Sequence, residues 1–152
     1  MKFISHRGNI DGPEPEKENH PDYIRDALKK KFDVEIDIWL KNEKLYLGHN
    51  EPQYEIDVEF LKNPHFWCHA KNTEALGLMR QHADIHCFWH QDDDYTLTSR
   101  GFIWVYPGKL LVSKCIAVKP ESRYSDDALS MCSGICSDII GPYRNGLEYW
   151  VG

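Results

Sequence analysis

Short apolar runs at 3–6, 33–40, 66–70, 85–89, 102–106, 115–118 and 136–140 recur along the chain, with turn or helix material between them. Most have the length of a buried strand and are rich in Ile, Val, Phe and Trp. Helical signals separate several of them. Pro21-Asp22 opens a segment to Lys31 with Ile24, Ala27 and Leu28 on one face, and residues 58–61 fit a single turn. Asn72 is placed to cap 73–82, and Ser125 or Asp126 starts a helix through Cys132. Strands alternating with helices build βα units, which lie side by side as a parallel sheet. A complete eight-fold barrel takes about 250 residues, and this chain has 152. The expectation is an α/β fold, a reduced TIM-type barrel of about seven parallel strands with missing or shortened helices, as one domain over 1–152. The intervals between the runs at 85–89, 102–106 and 115–118 leave room for little more than loops. The loop Gly12–Glu18 follows the first strand and falls at the active face of such a barrel.

The run from Phe32 to Leu40 says most about chemistry. Val34, Ile36, Ile38 and Leu40 form one apolar face of a strand, and Glu35 and Asp37 share the other. Two like charges on one face repel and are costly to bury unless a cation lies between them. The pair points to a metal site, and neutralising it as Asp37→Asn is expected to stabilise the metal-free protein. The same alternation groups Trp67, His69 and Lys71 in one run and His86, Phe88 and His90 in another. Polar residues at the C-terminal ends of parallel strands face the ligand-binding mouth of such barrels, and His6, Glu35, Asp37, His69, Lys71 and His90 fit that position. His82, His86 and His90 fall four apart, but the segment from 85 reads as a strand and not as a helical metal stripe. Asp92-Asp93-Asp94 reads as a solvated loop near the mouth. Trp104, Tyr106 and Trp150 either line that mouth or pack.

A net charge of -6 and a pI near 5.7 lack the basic face of a nucleic-acid binder. Lys29-Lys30-Lys31 reads as a solvated helix C-terminus, where it complements the dipole. No stretch approaches the ~20 apolar residues of a bilayer span, and the N-terminus turns polar too early for a signal peptide. The five cysteines are odd in number and lack a framework spacing, so they read as small core residues of a reduced, cytoplasmic protein. Cys132 and Cys136 are spaced to touch across a helical turn.

His6-Arg7-Gly8, then Glu18-Asn19, then Glu35-Ile36-Asp37, then His49 resemble, in order and spacing, the signature of the glycerophosphodiester phosphodiesterases. The related lipid-cleaving toxins of the phospholipase D type look similar. The likeness spans roughly the first third of the chain, with echoes at Lys71 and Ser137–Tyr143. It implies that Glu35 and Asp37 ligate a divalent cation (Mg²⁺, Ca²⁺ or Mn²⁺) and that Glu18 helps to hold the site. It also implies that His6 and His49 are the acid/base pair and that Arg7 and Lys71 contact the phosphate. His69 stands where the family carries a further metal-binding carboxylate, which shifts the preference towards Mn²⁺ or Zn²⁺. Asn50 stands where an Asp commonly follows the second histidine.

The implied activity is metal-dependent hydrolysis of a small glycerol-type or phospholipid-head-group phosphodiester, without nucleic-acid partners or stable membrane insertion. A lyase that closes a cyclic phosphate and a non-catalytic barrel that binds a phosphorylated ligand are the alternatives. The chemistry fits the residue types. Phosphodiester cleavage needs neutralisation of the phosphoryl oxygens and one group each to activate the nucleophile and protonate the leaving alkoxide. Two histidines can share the latter roles near neutral pH.

Overall fold

The computed structural model describes residues 1–148, so Trp150 lies outside the described residues. The chain runs β1 (Lys2–His6), α1 (Pro21–Lys29), β2 (Asp33–Lys41), β3 (Lys44–Leu47) and β4 (Tyr54–Ile56), then a 3₁₀ turn at Val58–Lys62. It continues through β5 (Phe66–Ala70), α2 (Thr73–Arg80), β6 (Cys87–Trp89), β7 (Tyr95–Leu97), β8 (Ile103–Val105) and β9 (Ile116–Val118). It ends in α3 (Asp126–Ser130), β10 (Gly134–Ser137) and α4 (Ile140–Glu148).

Caps mark the helix starts. His20 accepts from Asp22 N–H with Pro21 following it, Asn72 accepts from Ala75 N–H, and Ser125 accepts from Ala128 N–H. No helix among the described residues is long and apolar enough to cross a membrane.

Each apolar run of the sequence meets one strand of a parallel series in the order β6, β5, β2, β1, β10, β9, β8. The last of these runs is displaced: the strand is Gly134–Ser137, and Ile140 already belongs to α4. Three antiparallel strands are added. β3 folds back on the end of β2, β4 on β3, and β7 on β8. The ladder is mixed and does not close, because β6 and β8 form no pairing among the described residues.

The sheet nevertheless curls strongly. Ile4, Trp67, Phe88, Trp104, Ile116, Val118 and Cys136 pack together on its concave face, and the Phe88 and Trp104 rings from β6 and β8 lie 4.7 Å apart. The segment around β7 spans the gap: Ser99 N–H donates to Cys87 O, and Thr96 Oγ1 donates to Trp89 O.

On the convex face, Val34, Ile36 and Ile38 bury against Ile24 and Ala27 of α1 and Ala75 and Met79 of α2. A second outer cluster joins Phe32, Ile135, Leu129 and Ile140. Burying one such aliphatic side chain contributes about 1.5–3 kcal/mol, so the apolar face of β2 fixes which side of that strand turns inward. Glu35 and Asp37 must then point into the concave side.

The five cysteines are free and buried. Cys132 does not meet Cys136, because α3 ends before it and Cys136 lies on β10. Its sulfur instead sits 3.5 Å from that of Cys115.

Candidate functional site

The C-terminal ends of β1, β2, β5 and β10 converge. In register, His6 lies beside Glu35 and Asp37 beside His69, so four polar side chains from three adjacent strands face one volume. Glu35 and Asp37 are 2% and 0% exposed. Residues of the loops that follow the strands are aimed by unusual backbone. Arg7, Asn19 and Lys119 have φ of 59°, 64° and 45°, a left-handed conformation that costs a non-glycine residue about 1–2 kcal/mol. Gly8 has φ 98°, and a Cβ there would stand 2.6 Å from Cδ1 of Tyr23, so only glycine lets α1 close over this turn.

Asp37 is the hub. Its Oδ2 accepts from Asn19 Nδ2 at 2.9 Å and lies 3.2 Å from Arg7 Nε and 3.3 Å from His49 Nδ1. Burial works against its charge, but His49, His69 and Arg7 hold its carboxyl well below the ordinary value. Burial also opposes the charge of Arg7, which Asp37, Glu35 and Glu18 more than restore. The Asp37 charge is matched, so the geometry favours a loss of stability on neutralising it over the gain expected from the sequence, although Arg7 would keep Glu18 as a partner.

Two buried carboxylate oxygens, Glu35 Oε2 and Asp37 Oδ1, have no hydrogen-bond donor. His69 faces both acids, with Nδ1 3.6 Å from Glu35 Oε1 and 3.2 Å from Asp37 Oδ1, charge contacts without hydrogen-bond geometry at Asp37 Oδ1. The His69 Nε2 lies 2.8 Å from His90 O, and a carbonyl only accepts, so Nε2 carries a proton. That leaves the Nδ1 lone pair of a neutral ring aimed at two acids, which demands a cation there. Without a metal that cation is a second proton. Burial opposes it, but Asp37 and Glu35 hold the His69 pKa up to about 9. A ligating imidazole whose other nitrogen donates to a backbone carbonyl is the arrangement metal sites use. Candidate donor atoms of Glu35, Asp37 and His69 all lie within 4.8 Å of one another, and the three residues fit a divalent ion. Two carboxylates and one imidazole suit Mn²⁺ better than Mg²⁺.

The two expected acid/base histidines are both backed by carboxylates. The His6 Nδ1 lies 2.7 Å from Asp138 Oδ1, so this nitrogen donates and Nε2 faces the cleft, 3.7 Å from Glu35 Oε2. His6, Asn9 and Lys119 hold the Asp138 carboxyl far below its ordinary value against the opposing effect of burial. His49 takes a proton on Nδ1 towards Asp37, because Arg7 Nη2, which can only donate, lies 3.2 Å from its Nε2.

Glu18 is brought to Arg7, which donates to it at 3.1 Å, and not into the ligand cluster. Lys71 lines the same cleft as His6, Arg7 and His69, and His90 closes it from β6. Sequence reasoning missed Asp138, Asn19 as a partner of Asp37, and Lys119, whose Nζ is 3.4 Å from Asp138 Oδ2. Asp138 and Lys119 each directly follow a strand, the same positional signal that picked out His6 and Lys71.

Two cavities open here, of about 450 and about 380 Å³, and share His6, Arg7, His49 and Lys119 as a common wall. A larger cleft of about 780 Å³ lies between the loop after β1 and α1, but it contains none of these converging groups. Its size does not make it the site. No family model, curated protein or solved structure matches this chain.

Proposed function

We propose that this chain is a metal-dependent phosphodiesterase built on a shortened TIM-type barrel and acting on a small phosphodiester. The observation that carries the reading is the pairing of two donorless buried carboxylate oxygens with a His69 ring nitrogen that faces both acids, in a cleft that also holds two carboxylate-backed histidines and three basic side chains. A protonated His69 offsets part of the acid charge in the metal-free protein, yet both oxygens remain without a hydrogen bond. Each orphaned acid oxygen costs about 1–3 kcal/mol, a large part of the ~5–15 kcal/mol by which a domain is stable.

Glu35, Asp37 and His69 would hold the divalent ion, which when bound neutralises phosphoryl charge and lowers the pKa of a bound hydroxyl. Arg7, Lys71 and Lys119 orient the phosphate from the remaining sides. His6 exchanges protons through Nε2, while Asp138 fixes its tautomer and stabilises the imidazolium. His49 acts from the opposite wall. When Arg7 turns its guanidinium onto a phosphoryl oxygen, His49 Nε2 is released and becomes available as the second acid/base group.

Hydrolysis of bis-(p-nitrophenyl) phosphate with Mg²⁺, Mn²⁺ or Ca²⁺, beside a His6→Ala control, tests the reading. Metal-dependent release of nitrophenol that vanishes in the control is expected. A folded protein inert with every metal would overturn it. Phosphorus NMR of the products from a substrate with a neighbouring hydroxyl separates hydrolysis from cyclic phosphate formation.

A further inference from the structure

We infer that the cleft takes a water-soluble phosphodiester with two hydroxyl-rich arms, one of them a sugar ring laid on Tyr106. The inference rests on the phosphodiesterase reading and narrows its substrate class. Among the described residues the two cavities share His6, Arg7, His49 and Lys119, a waist of nitrogen donors suited to a phosphate group. A phosphomonoester would fill one cavity and leave the other empty, whereas a diester has a substituent for each.

The linings specify the substituents. In the smaller cavity, Asn50, Gln53 and Glu51 offer amide and carboxylate groups that exchange hydrogen bonds with hydroxyls in both directions. In the larger one, the Tyr106 ring is 38% exposed and stands edge-to-face with His90, 5.7 Å between centroids, so that His90 buttresses it. Gln91 and Asp92 line the same cavity. An aromatic platform beside a carboxylate and an amide complements a ring with one C–H face and a rim of hydroxyls. The apolar lining is mainly aromatic, Trp89, Trp104 and Tyr106, with Ala70 and Val118 as the aliphatic side chains and Pro13, Pro15 and Pro107 beside them, which suits a flat ring.

Calorimetric titration of the full chain with glucose 6-(methyl phosphate) and with dimethyl phosphate tests this, because both are diesters with poor leaving groups and binding is read without turnover. The sugar diester is expected to bind at least about tenfold more tightly, a difference of about 1.4 kcal/mol. Tyr106→Ala should narrow that ratio to within about twofold, and Tyr106→Phe should retain it. Equal binding of the two ligands, or a preference that survives Tyr106→Ala, would overturn the inference. A sugar preference in a protein that hydrolyses no diester would sink only the hydrolase reading. Hydrolysis of bis-(p-nitrophenyl) phosphate with no sugar preference would sink only this one.

Discussion

The two ends of β2 use the same chemistry to opposite purpose. Asp33, Glu35 and Asp37 point to one side of the strand in successive layers, and β5 sets Trp67 and His69 beside them. At the lower end, Asp33 has both oxygens answered, Oδ1 by His65 Nδ1 at 2.8 Å and Oδ2 by Trp67 Nε1 at 3.0 Å, with Lys2 at 3.8 Å. His86, just before β6, is answered by Thr98 Oγ1 at 2.8 Å. At the upper end, Glu35 and Asp37 each keep an oxygen without a donor, and the neighbouring loops adopt left-handed backbone to bring Arg7, Asn19 and Lys119 in. One layer is finished by the fold. The other is unfinished, and the missing piece is a positive charge followed by an anionic ligand.

That contrast predicts where a substitution changes chemistry and where it changes only stability. The largest effect is expected at His6. His6→Ala should lower kcat/KM on a chromogenic diester by about 10²–10⁴-fold, the usual contribution of one positioned acid/base group. The corresponding change at the closed end, His86→Asn, should leave kcat/KM within about twofold while lowering the thermal midpoint, since His86 touches no group of the cleft. Equal losses at both positions would erase the distinction.

Next in size is the difference between the two upper carboxylates. Asp37→Asn removes the fully buried one of the two acids that pair with Arg7, leaving Glu18, and should destabilise the metal-free protein by about 1–3 kcal/mol in urea unfolding. Glu35→Gln removes a charge whose Oε2 has no donor, and should stay within about 1 kcal/mol of the unsubstituted chain. Both should abolish stabilisation by Mn²⁺, which for an ion at a hundred times its Kd is about 2.7 kcal/mol. A Glu35→Gln protein that melts much earlier than Asp37→Asn would reverse the assignment of hub and orphan.

Acid sensitivity between about pH 6.5 and 4 should belong to the closed end, above the range where the lowered Asp37 and Asp138 carboxyls take up protons. Burial, with Arg100 and Lys2 adding to it, pushes the His86 pKa down to about 4. The unfolded chain binds a proton on this residue near pH 6.5 and the folded one does not until about pH 4. Folded-state stability from this group is therefore complete above about pH 6.5 and is lost as pH falls towards 4, by up to about 3 kcal/mol. Unfolding free energies of the unsubstituted and His86→Asn proteins measured between these limits should converge as the pH drops. Parallel curves would place the acid-sensitive group elsewhere.

The upper layer was more legible in the sequence than the elements around it. Period-2 alternation sufficed to turn Glu35, Asp37 and His69 inward because the opposite face of β2 is uniformly aliphatic. Glu18 was legible only as part of a motif. It lies on a loop, where no period fixes side-chain direction, and its partner Arg7 was itself placed by a left-handed turn. β3 and β4 escaped notice because their strands are short and half-exposed, although Asn42 and Glu43, with φ of 51° and 63°, form the left-handed pair a tight hairpin requires. The start of β10 was hidden by Gly134, which reads as a breaker. Its missing Cβ would otherwise stand 2.8 Å from Lys2 O across the ladder. α4 was hidden by Gly141 and Pro142 in its first turn, positions where a helix tolerates both.

The smallest expected effect is the most direct probe of the closed layer. Asp33→Asn keeps the size of the side chain and one accepting oxygen. That oxygen can serve Trp67 Nε1 or His65 Nδ1, but not both with the present geometry. The Trp67 indole is 1% exposed, so an unanswered N–H there is costly, whereas the His65 side chain is 63% exposed and water can replace its partner. The amide should therefore turn its oxygen to Trp67 and its Nδ2 to His65, whose Nδ1 must change from donor to acceptor, at a cost of about 1 kcal/mol. Urea unfolding would report that loss, and Mn²⁺ affinity should be unchanged because Asp33 lies below the ligand layer. If Asp33→Asn instead weakens Mn²⁺ binding by about tenfold, the two layers are coupled through β2 and the lower one is part of the site.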